Sequence, residues 1–473
     1  MSKEYIHVMI AVLLGFVLKI FLPASNGLTE IGVNTLTVLV PTVYLWLTVT
    51  TGWTTLFAMA GLVIAGVITD SEVWSGVLAA RACIIIAVCI PLNVILRETG
   101  VVKFIVDWFI TRNIVKGRPY MFFTMFYLAA LVIGLFFQSV TLAVIFCGLA
   151  QQICTQIGYE KGSSFYNTLI VGILWISVLV NGATPISHAV PVILMNLLKT
   201  STGIEITFSQ WMMVGIPAAF LLVGVMLLCI RFIWKPDTAL YKNYDVDKMQ
   251  SQRQPMKLEG KISFVLFVVV VLMWILPDLL PGAAFLQTIK GLGMSIPAIL
   301  ALVFMCIVKV GDKPIANYNK ILAAIPMHVI IFTGFVTIFG SIVGYESTGI
   351  TVWLQNIFEP VTSNLPSLAL VIIGIIGVYV VTSFISNTVS ITIFYTVTVA
   401  VMLGTGMNVI PYVILLGIVG NLGALFPSAS PNAGYFYGNF FEVKDVFKYN
   451  LTFMCTSLIV LLAVIYPLAV LIL

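Results

Sequence analysis

Charge is what this sequence has least of. Of 473 residues only 9% are Asp, Glu, Lys or Arg, while 60% are hydrophobic and the mean hydropathy is +1.12. A soluble protein does not carry that balance, and uncharged apolar segments of 18 or more residues recur along the whole length, so the class is a polytopic membrane protein. Histidine is scarce too, with three residues, His7, His188 and His328. The seven cysteines (Cys83, Cys89, Cys147, Cys154, Cys229, Cys306 and Cys455) all lie in apolar segments and form no CxxC pair. That spacing suggests neither a metal site nor a disulfide framework. A cleavable signal is not evident, so residues 5–22 are kept as the first helix. Enzymatic constellations are equally thin. Ser187 beside His188 is the one conceivable nucleophile–base start, with no carboxylate near to orient it, so an intramembrane enzyme is the remote reading. The net charge of +5 gives no ground for a nucleic-acid partner, because the basic residues sort by side of the membrane.

What fills the chain is apolar. Spans are expected at about 5–22, 33–48, 53–69 and 80–97, then an amphipathic, basic stretch at 99–118. An apolar pair, 120–137 and 139–157, breaks at Gln138-Ser139-Val140. A span at 164–181 runs into the irregular Asn181-Gly182-Ala183-Thr184-Pro185-Ile186-Ser187-His188 and resumes to about 198; a full span follows at 210–233. Residues 235–261 are the one long polar segment and read as a cytoplasmic linker. Further spans are expected at 263–280, 293–309 and 320–344, a second amphipathic stretch at 346–365, a hairpin at 366–405, a helix at 409–423 broken by 424–432, and a last span at 450–473. With the N-terminus inside, 18 of the 23 Lys and Arg face the cytoplasm. That is the bias that orients helices. It gives eleven crossings, two hairpins that enter and return, and a C-terminus outside the inner (plasma) membrane.

The hairpin 366–405 organises the rest. Its apolar arms and turn make roughly 36 residues, too long for one crossing of about 20 and too short for two. The polar triplet Ser386-Asn387-Thr388 is its turn. Backbone that leaves a helix at membrane depth is tolerated only where it is buried in protein or lines a watery cavity. Its carbonyls, the Asn387 amide oxygen and nearby hydroxyls are neutral ligands for a small hard cation. The N–H groups opening the returning half-helix face the opposite way, towards an anion. The competing reading of such a triplet is interhelical hydrogen bonding.

A repeat is also visible. Arg97-Glu98-Thr99-Gly100-Val101 is echoed by Glu346-Ser347-Thr348-Gly349-Ile350, each followed by an interfacial stretch, a broken hairpin and a helix broken at Gly-Ala. The first interfacial stretch is basic, whereas the second holds Glu346 and Glu359 and no Lys or Arg, so the two belong on opposite sides. An inverted repeat is the architecture of many secondary transporters, and matched breaks point to a midplane site. The expected division is N-terminal scaffold helices at 1–79, a first repeat at 80–234 with hairpin 120–157, the linker, and a second repeat region at 262–473.

These residues resemble a known family, the divalent anion–sodium symporters of the wider ion-transporter superfamily, whose members carry dicarboxylates, citrate or sulfate. The resemblance is clearest over 80–198 and 320–440. It rests on Ser386-Asn387-Thr388 and on Gly423-Ala424 followed by Pro427-Ser428-Ala429-Ser430-Pro431-Asn432, similar to a family loop ending in Pro-Pro-Asn, though with Phe426 where Thr is usual. It implies a homodimer with a fixed scaffold and a moving domain that works as an elevator, and a Na+ held by Thr382, Ile385, Asn387, Gly423 and Ala424. The first half departs from the family. Gln138-Ser139-Val140 replaces a second Ser-Asn-Thr, Gly134 stands where a sodium-site hydroxyl is usual, and Ser187-His188-Ala189-Val190-Pro191 replaces Pro-Pro-Asn. One Na+ site is therefore expected rather than two.

Substrate contacts are expected from Gln138, Ser139, Val140, Thr184, Pro185, Ser187 and His188 in the first half and from Ser386, Asn387, Thr388, Pro427 and Ser428 in the second. His188, ionisable at midplane depth, is a candidate to meet a carboxylate or carry a proton, or else a packing residue. The expected function is secondary active transport of small di- or tricarboxylates such as succinate, malate or citrate, with Na+ coupling. The alternatives are a sulfate-like inorganic anion carrier or a carboxylate exchanger without Na+.

Overall fold

The computed structural model describes residues 3–50, 52–110, 112–137, 139–242, 255–280, 282–293, 295–325, 327–362, 365–384, 387–427 and 429–473. Helices dominate it, with one two-residue antiparallel ladder at 309–314. Four helices open the chain: α1 (Lys3–Phe21), α2 (Glu30–Thr48), α3 (Trp53–Ile64) and α4 (Asp70–Ala79). The last lies between the spans expected at 53–69 and 80–97. It forms because Thr69 and Glu72 close a capping box, each satisfying a backbone N–H of the first turn.

A series then occurs twice. In the first half α5 (Arg81–Glu98) turns at Gly100 into α6 (Val101–Ile110), followed by α7 (Pro119–Gly134), α8 (Ser139–Ile157), α9 (Ser164–Ala183), a break at 184–188, and α10 (Ala189–Thr202). Between the halves lie α11 (Phe208–Leu228), the short α12 (Ala239–Lys242), α13 (Leu258–Leu279), α14 (Ala284–Gly291), α15 (Ser295–Ile307) and α16 (Tyr318–Ala323). The second series is α17 (Met327–Gly344), a turn at Gly349, α18 (Ile350–Thr362), α19 (Ser367–Thr382), α20 (Asn387–Gly404), α21 (Ile410–Gly420), a break at 421–430, and α22 (Pro431–Asn439). The chain closes with α23 (Val443–Val460) and α24 (Tyr466–Ile472), joined by a π-helical turn. Gly100 and Gly349 both take positive φ, 78° and 65°, the left-handed conformation in which a Cβ is costly.

The two broken helices pack on each other. A side chain at Gly182 would run into the Ile418 Cα at 2.6 Å, and one at Gly417 into the Trp211 ring, whose Nε1–H donates to the Gly182 carbonyl at 2.9 Å. Glycine at both positions lets the backbones meet where the two halves cross. The N-terminal unit clamps the second turn instead: Thr29 donates to the Ser347 carbonyl at 2.6 Å, and Gly349 lies flush against the Gly27 carbonyl.

Two expectations need qualifying. Residues 235–261 are not wholly linker, because Tyr241 on α12 is buried and its hydroxyl donates to the Val115 carbonyl at 3.1 Å; residues 243–254 lie outside the described residues. Among the described residues six helices are individually long and apolar enough to cross a membrane, or seven with α14 and α15 taken as one, against eleven expected crossings. Much of the difference arises because α3, α15 and α21 run only 12, 13 and 11 residues, whereas α9 is long enough despite the break that follows it. The protein is an all-α, multi-pass membrane protein.

Candidate functional site

Two half-helices end at one point in the second half. The last turn of α19 finishes at Thr382 and that of α21 at Gly420, so the C-terminal, negative ends of two helix dipoles converge. The Thr382 hydroxyl lies 2.6 Å from the Gly420 carbonyl and 2.8 Å from the Asn387 Oδ1, and all three residues are buried. A hydroxyl has one hydrogen to give, yet it faces two acceptors. One oxygen–oxygen contact is left uncompensated, and a cation is what would relieve it. The Asn387 amide is oriented by Nδ2, which donates to the Asn421 carbonyl at 3.1 Å. Gly423 completes the cradle. A Cβ there would meet the Thr382 carbonyl oxygen at 2.3 Å and the Asn387 Oδ1 at 2.7 Å, so only glycine leaves both oxygens room to face inwards.

Neutral carbonyl, amide and hydroxyl oxygens at half-helix C-termini are the donor set that suits Na+. Of the residues expected to hold it, Thr382, Asn387 and Gly423 come together. The Ala424 carbonyl is committed elsewhere, accepting from Tyr437 at 3.1 Å and from Asn450 at 3.4 Å. Ile385 lies outside the described residues, as do the substrate-contact candidates Gln138, Ser386 and Ser428. Phe384 and Phe426 stack at 5.0 Å beside the tip, with Phe447 behind them. Phe426, which replaces the Thr usual in the resembling family, so forms an apolar cover next to the polar cluster.

Sequence reading missed two contributors, the Gly420 carbonyl and Asn421. The Asn421 Nδ2 donates to the Gly417 carbonyl at 2.7 Å, while its Oδ1 is buried without a hydrogen-bond partner. An orphaned buried acceptor costs about 1–3 kcal/mol. Asn181 is in the same state before the first break. The signal was present as an Asn before each Gly-Ala, in Asn181-Gly182-Ala183 and Asn421-Leu422-Gly423-Ala424.

The first half closes the equivalent space. Thr184 donates its hydroxyl to the Leu135 carbonyl, and Ser187 donates to the Val180 carbonyl at 2.6 Å. Carbonyls at the ends of α7 and α9 thus accept from protein hydroxyls, as the Gly420 carbonyl does from Thr382, and here too each hydroxyl faces a second oxygen: Thr184 the Ser187 Oγ at 3.2 Å and Ser187 the Thr184 carbonyl at 3.1 Å. A side chain on Gly134 would strike Val180 at 2.8 Å and Leu142 at 3.0 Å. Pro185 is buried in the same turn.

Opposite in polarity is the meeting of α8 and α22. Ser139 is the first residue of α8 and Asn432 the second of α22; their side chains are 3.5 Å apart and both buried. The Asn432 Nδ2 is held by the Ser177 carbonyl at 3.1 Å, and Ser430 caps α22. Two helix N-termini side by side present N–H groups and partial positive charge to an anion. Val140 follows Ser139 in the first turn of α8, Thr388 is half-buried in the first turn of α20, and Pro427 is exposed in the second break. His188 is the N-cap of α10, its Nδ1 accepting from the Val190 N–H at 3.4 Å. The second half thus holds a cluster of neutral oxygens, and the α8–α22 meeting a pair of helix N-termini.

Comparisons with known proteins agree with a carrier. The family model described as a citrate transporter matches residues 42–418. An uncharacterized transporter of Haemophilus influenzae is 22% identical over 329 residues, 68% of this chain and 67% of that protein. The sodium-dependent dicarboxylate transporter SdcS of Staphylococcus saprophyticus is 24% identical over 318 residues, covering 65% of this chain and 60% of its own length. Its namesake from Staphylococcus aureus is 22% identical over 314 residues, covering 64% and 58%. The chain therefore spans about three fifths of the length of both staphylococcal proteins. The crystal structure of the Alcanivorax borkumensis YdaH transporter, reported to have an unusual topology, superposes with a TM-score of 0.56 at 12% identity, over 84% of this chain and 87% of that one. That likeness bears on the fold alone.

Proposed function

The chain belongs to the citrate transporter family, and from that premise we propose that it carries small di- or tricarboxylates across the inner membrane, coupled to one Na+. It is a transporter and not an enzyme. The observation that carries the Na+ assignment is the Thr382 hydroxyl, one donor facing the Gly420 carbonyl and the Asn387 amide oxygen. Names of two relatives, sodium-dependent dicarboxylate transporters, support the substrate class and the ion. The bound Na+ offsets part of the substrate's charge, and the N-termini of α8 and α22, with Ser139 and Asn432, hold a carboxylate by N–H donors. No permanent charge anchors the anion there, which favours release after translocation. The two series of elements form an inverted repeat, the N-terminus is cytoplasmic and the C-terminus outside, and a homodimer provides the fixed frame against which the hairpins move as an elevator.

Ligand binding to the native state raises apparent stability, so a thermal-shift assay reads the coupling directly. Succinate should raise the melting temperature in NaCl and not in KCl, and Thr382→Val should remove the difference while the protein remains folded. A succinate shift of equal size in both salts would overturn the Na+ assignment.

A further inference from the structure

Beneath α6 lies a cavity of about 440 Å³ that the transport site does not use. Its walls are Leu96 at the end of α5, one face of α6 (Val101, Phe104, Ile105, Trp108), the last turns of α7 with Phe136 and Phe137, and α13 from Phe264 to Leu272. The α6 residues recur at three and four positions apart, so a single amphipathic face supplies the floor. Phe267 spans the gap towards the hairpin, its ring 5.6 Å from that of Phe136. Val268 and Leu272 are more than a third exposed, so the cavity opens on the outer surface of the bundle. An apolar hollow facing lipid will be filled by what the bilayer offers.

One basic group stands at the rim by geometry, and two more lie close to its lining residues in sequence, as do Glu98, Asp107 and Glu259. The Arg112 guanidinium lies 3.6 Å over the Trp108 ring, which itself lines the cavity. Arg97 follows the lining residue Leu96, and Lys261 precedes Phe264 by one turn at the start of α13; all three basic side chains are exposed. Trp and Arg or Lys at the mouth of an apolar pocket match the interfacial zone of a bilayer, where tails and headgroups meet.

We infer that this is a lipid site: one acyl chain of an anionic phospholipid of the cytoplasmic leaflet fills the cavity, with its headgroup against Arg112. The leaflet rests on the orientation proposed above; the occupancy does not. Because Phe136 and Phe137 immediately precede the tip of the first hairpin, the chain lies between that hairpin and α13. A hairpin that moves must slide along it, so the lipid sets the rate of transport.

The full-length protein, extracted in mild detergent and passed through native mass spectrometry with added phosphatidylglycerol or phosphatidylcholine, tests occupancy without reference to transport. Phosphatidylglycerol should be retained in preference. Arg112→Ala should weaken that retention about fivefold, the value of one basic residue near an anionic surface. Val268→Phe, at the open side of the cavity, should remove it with little effect on folding. Equal retention of both lipids, or retention unchanged in Val268→Phe, would overturn the site. Disulfide cross-linking of Val268→Cys between two copies in vesicles would also overturn it, by showing that a second copy covers the opening. If occupancy holds, succinate flux should be faster in vesicles containing phosphatidylglycerol than in phosphatidylcholine alone, and Val268→Phe should abolish that difference. Lipid retention without any effect on flux would leave the site standing and overturn its role in hairpin motion.

Discussion

At the scale of single residues, the asymmetry between the two halves is a matter of which hydroxyl meets which carbonyl. Thr382 faces a carbonyl and a side-chain amide oxygen, whereas Thr184 faces a carbonyl and the Ser187 hydroxyl, and Ser187 faces two carbonyls. His188 illustrates a different point. Sequence alone leaves it open between meeting a carboxylate and packing, and the structure puts its Nδ1 in the cap of α10. A cap needs an acceptor, and Asn supplies one. His188→Asn should therefore keep thermal stability close to the parent and leave the pH profile of transport unchanged, assayed with succinate above its own second pKa. A flattened profile would show that the imidazole handles charge during the cycle.

At the scale of elements, the repeated turns make a sharp comparison. Gly100 and Gly349 share the same left-handed backbone, but a Cβ at Gly100 meets nothing within 4 Å while at Gly349 it would meet the Gly27 carbonyl oxygen at 1.8 Å. Gly100→Ala should cost only the backbone term, about 1–2 kcal/mol. Gly349→Ala must in addition push the 26–30 segment off α18, breaking the bonds from Thr29 to the Ser347 and Thr348 carbonyls. Thermal denaturation in detergent should rank Gly349→Ala well below Gly100→Ala; equal stability would contradict the clamp. Much of this layer was legible in the sequence. Polar triplets between apolar arms marked both hairpins, and Gly-Ala marked both breaks, since helices interrupted at membrane depth need Gly, Pro or hydrogen-bonding side chains there. The start of α4 is legible as well, in the capping box Thr69-Asp70-Ser71-Glu72; what is not legible is the docking of α12 through Tyr241 or the Gly420 carbonyl, because such partners leave no mark in a sequence until the fold brings them together.

At the scale of the molecule, the number of cations fixes the charge moved. One Na+ with a succinate dianion carries a net single negative charge inwards. Each charge moved across 100 mV is worth about 2.3 kcal/mol. An inside-negative potassium diffusion potential should therefore slow succinate uptake into proteoliposomes and an inside-positive one should speed it. Indifference to the potential would imply two cations per dianion, and acceleration by inside-negative potential three.

The central claim is that a single cation cluster, built by Thr382, Asn387, Gly420 and Gly423, couples the carrier to Na+. It is tested most directly by titrating Na+ against K+ at constant ionic strength in proteoliposomes while initial succinate flux is measured. The account predicts a saturating curve with a Hill coefficient near one, no flux in K+ alone, and loss of the Na+-dependent flux in Asn387→Ala. A coefficient near two, or equal flux in K+, would contradict it.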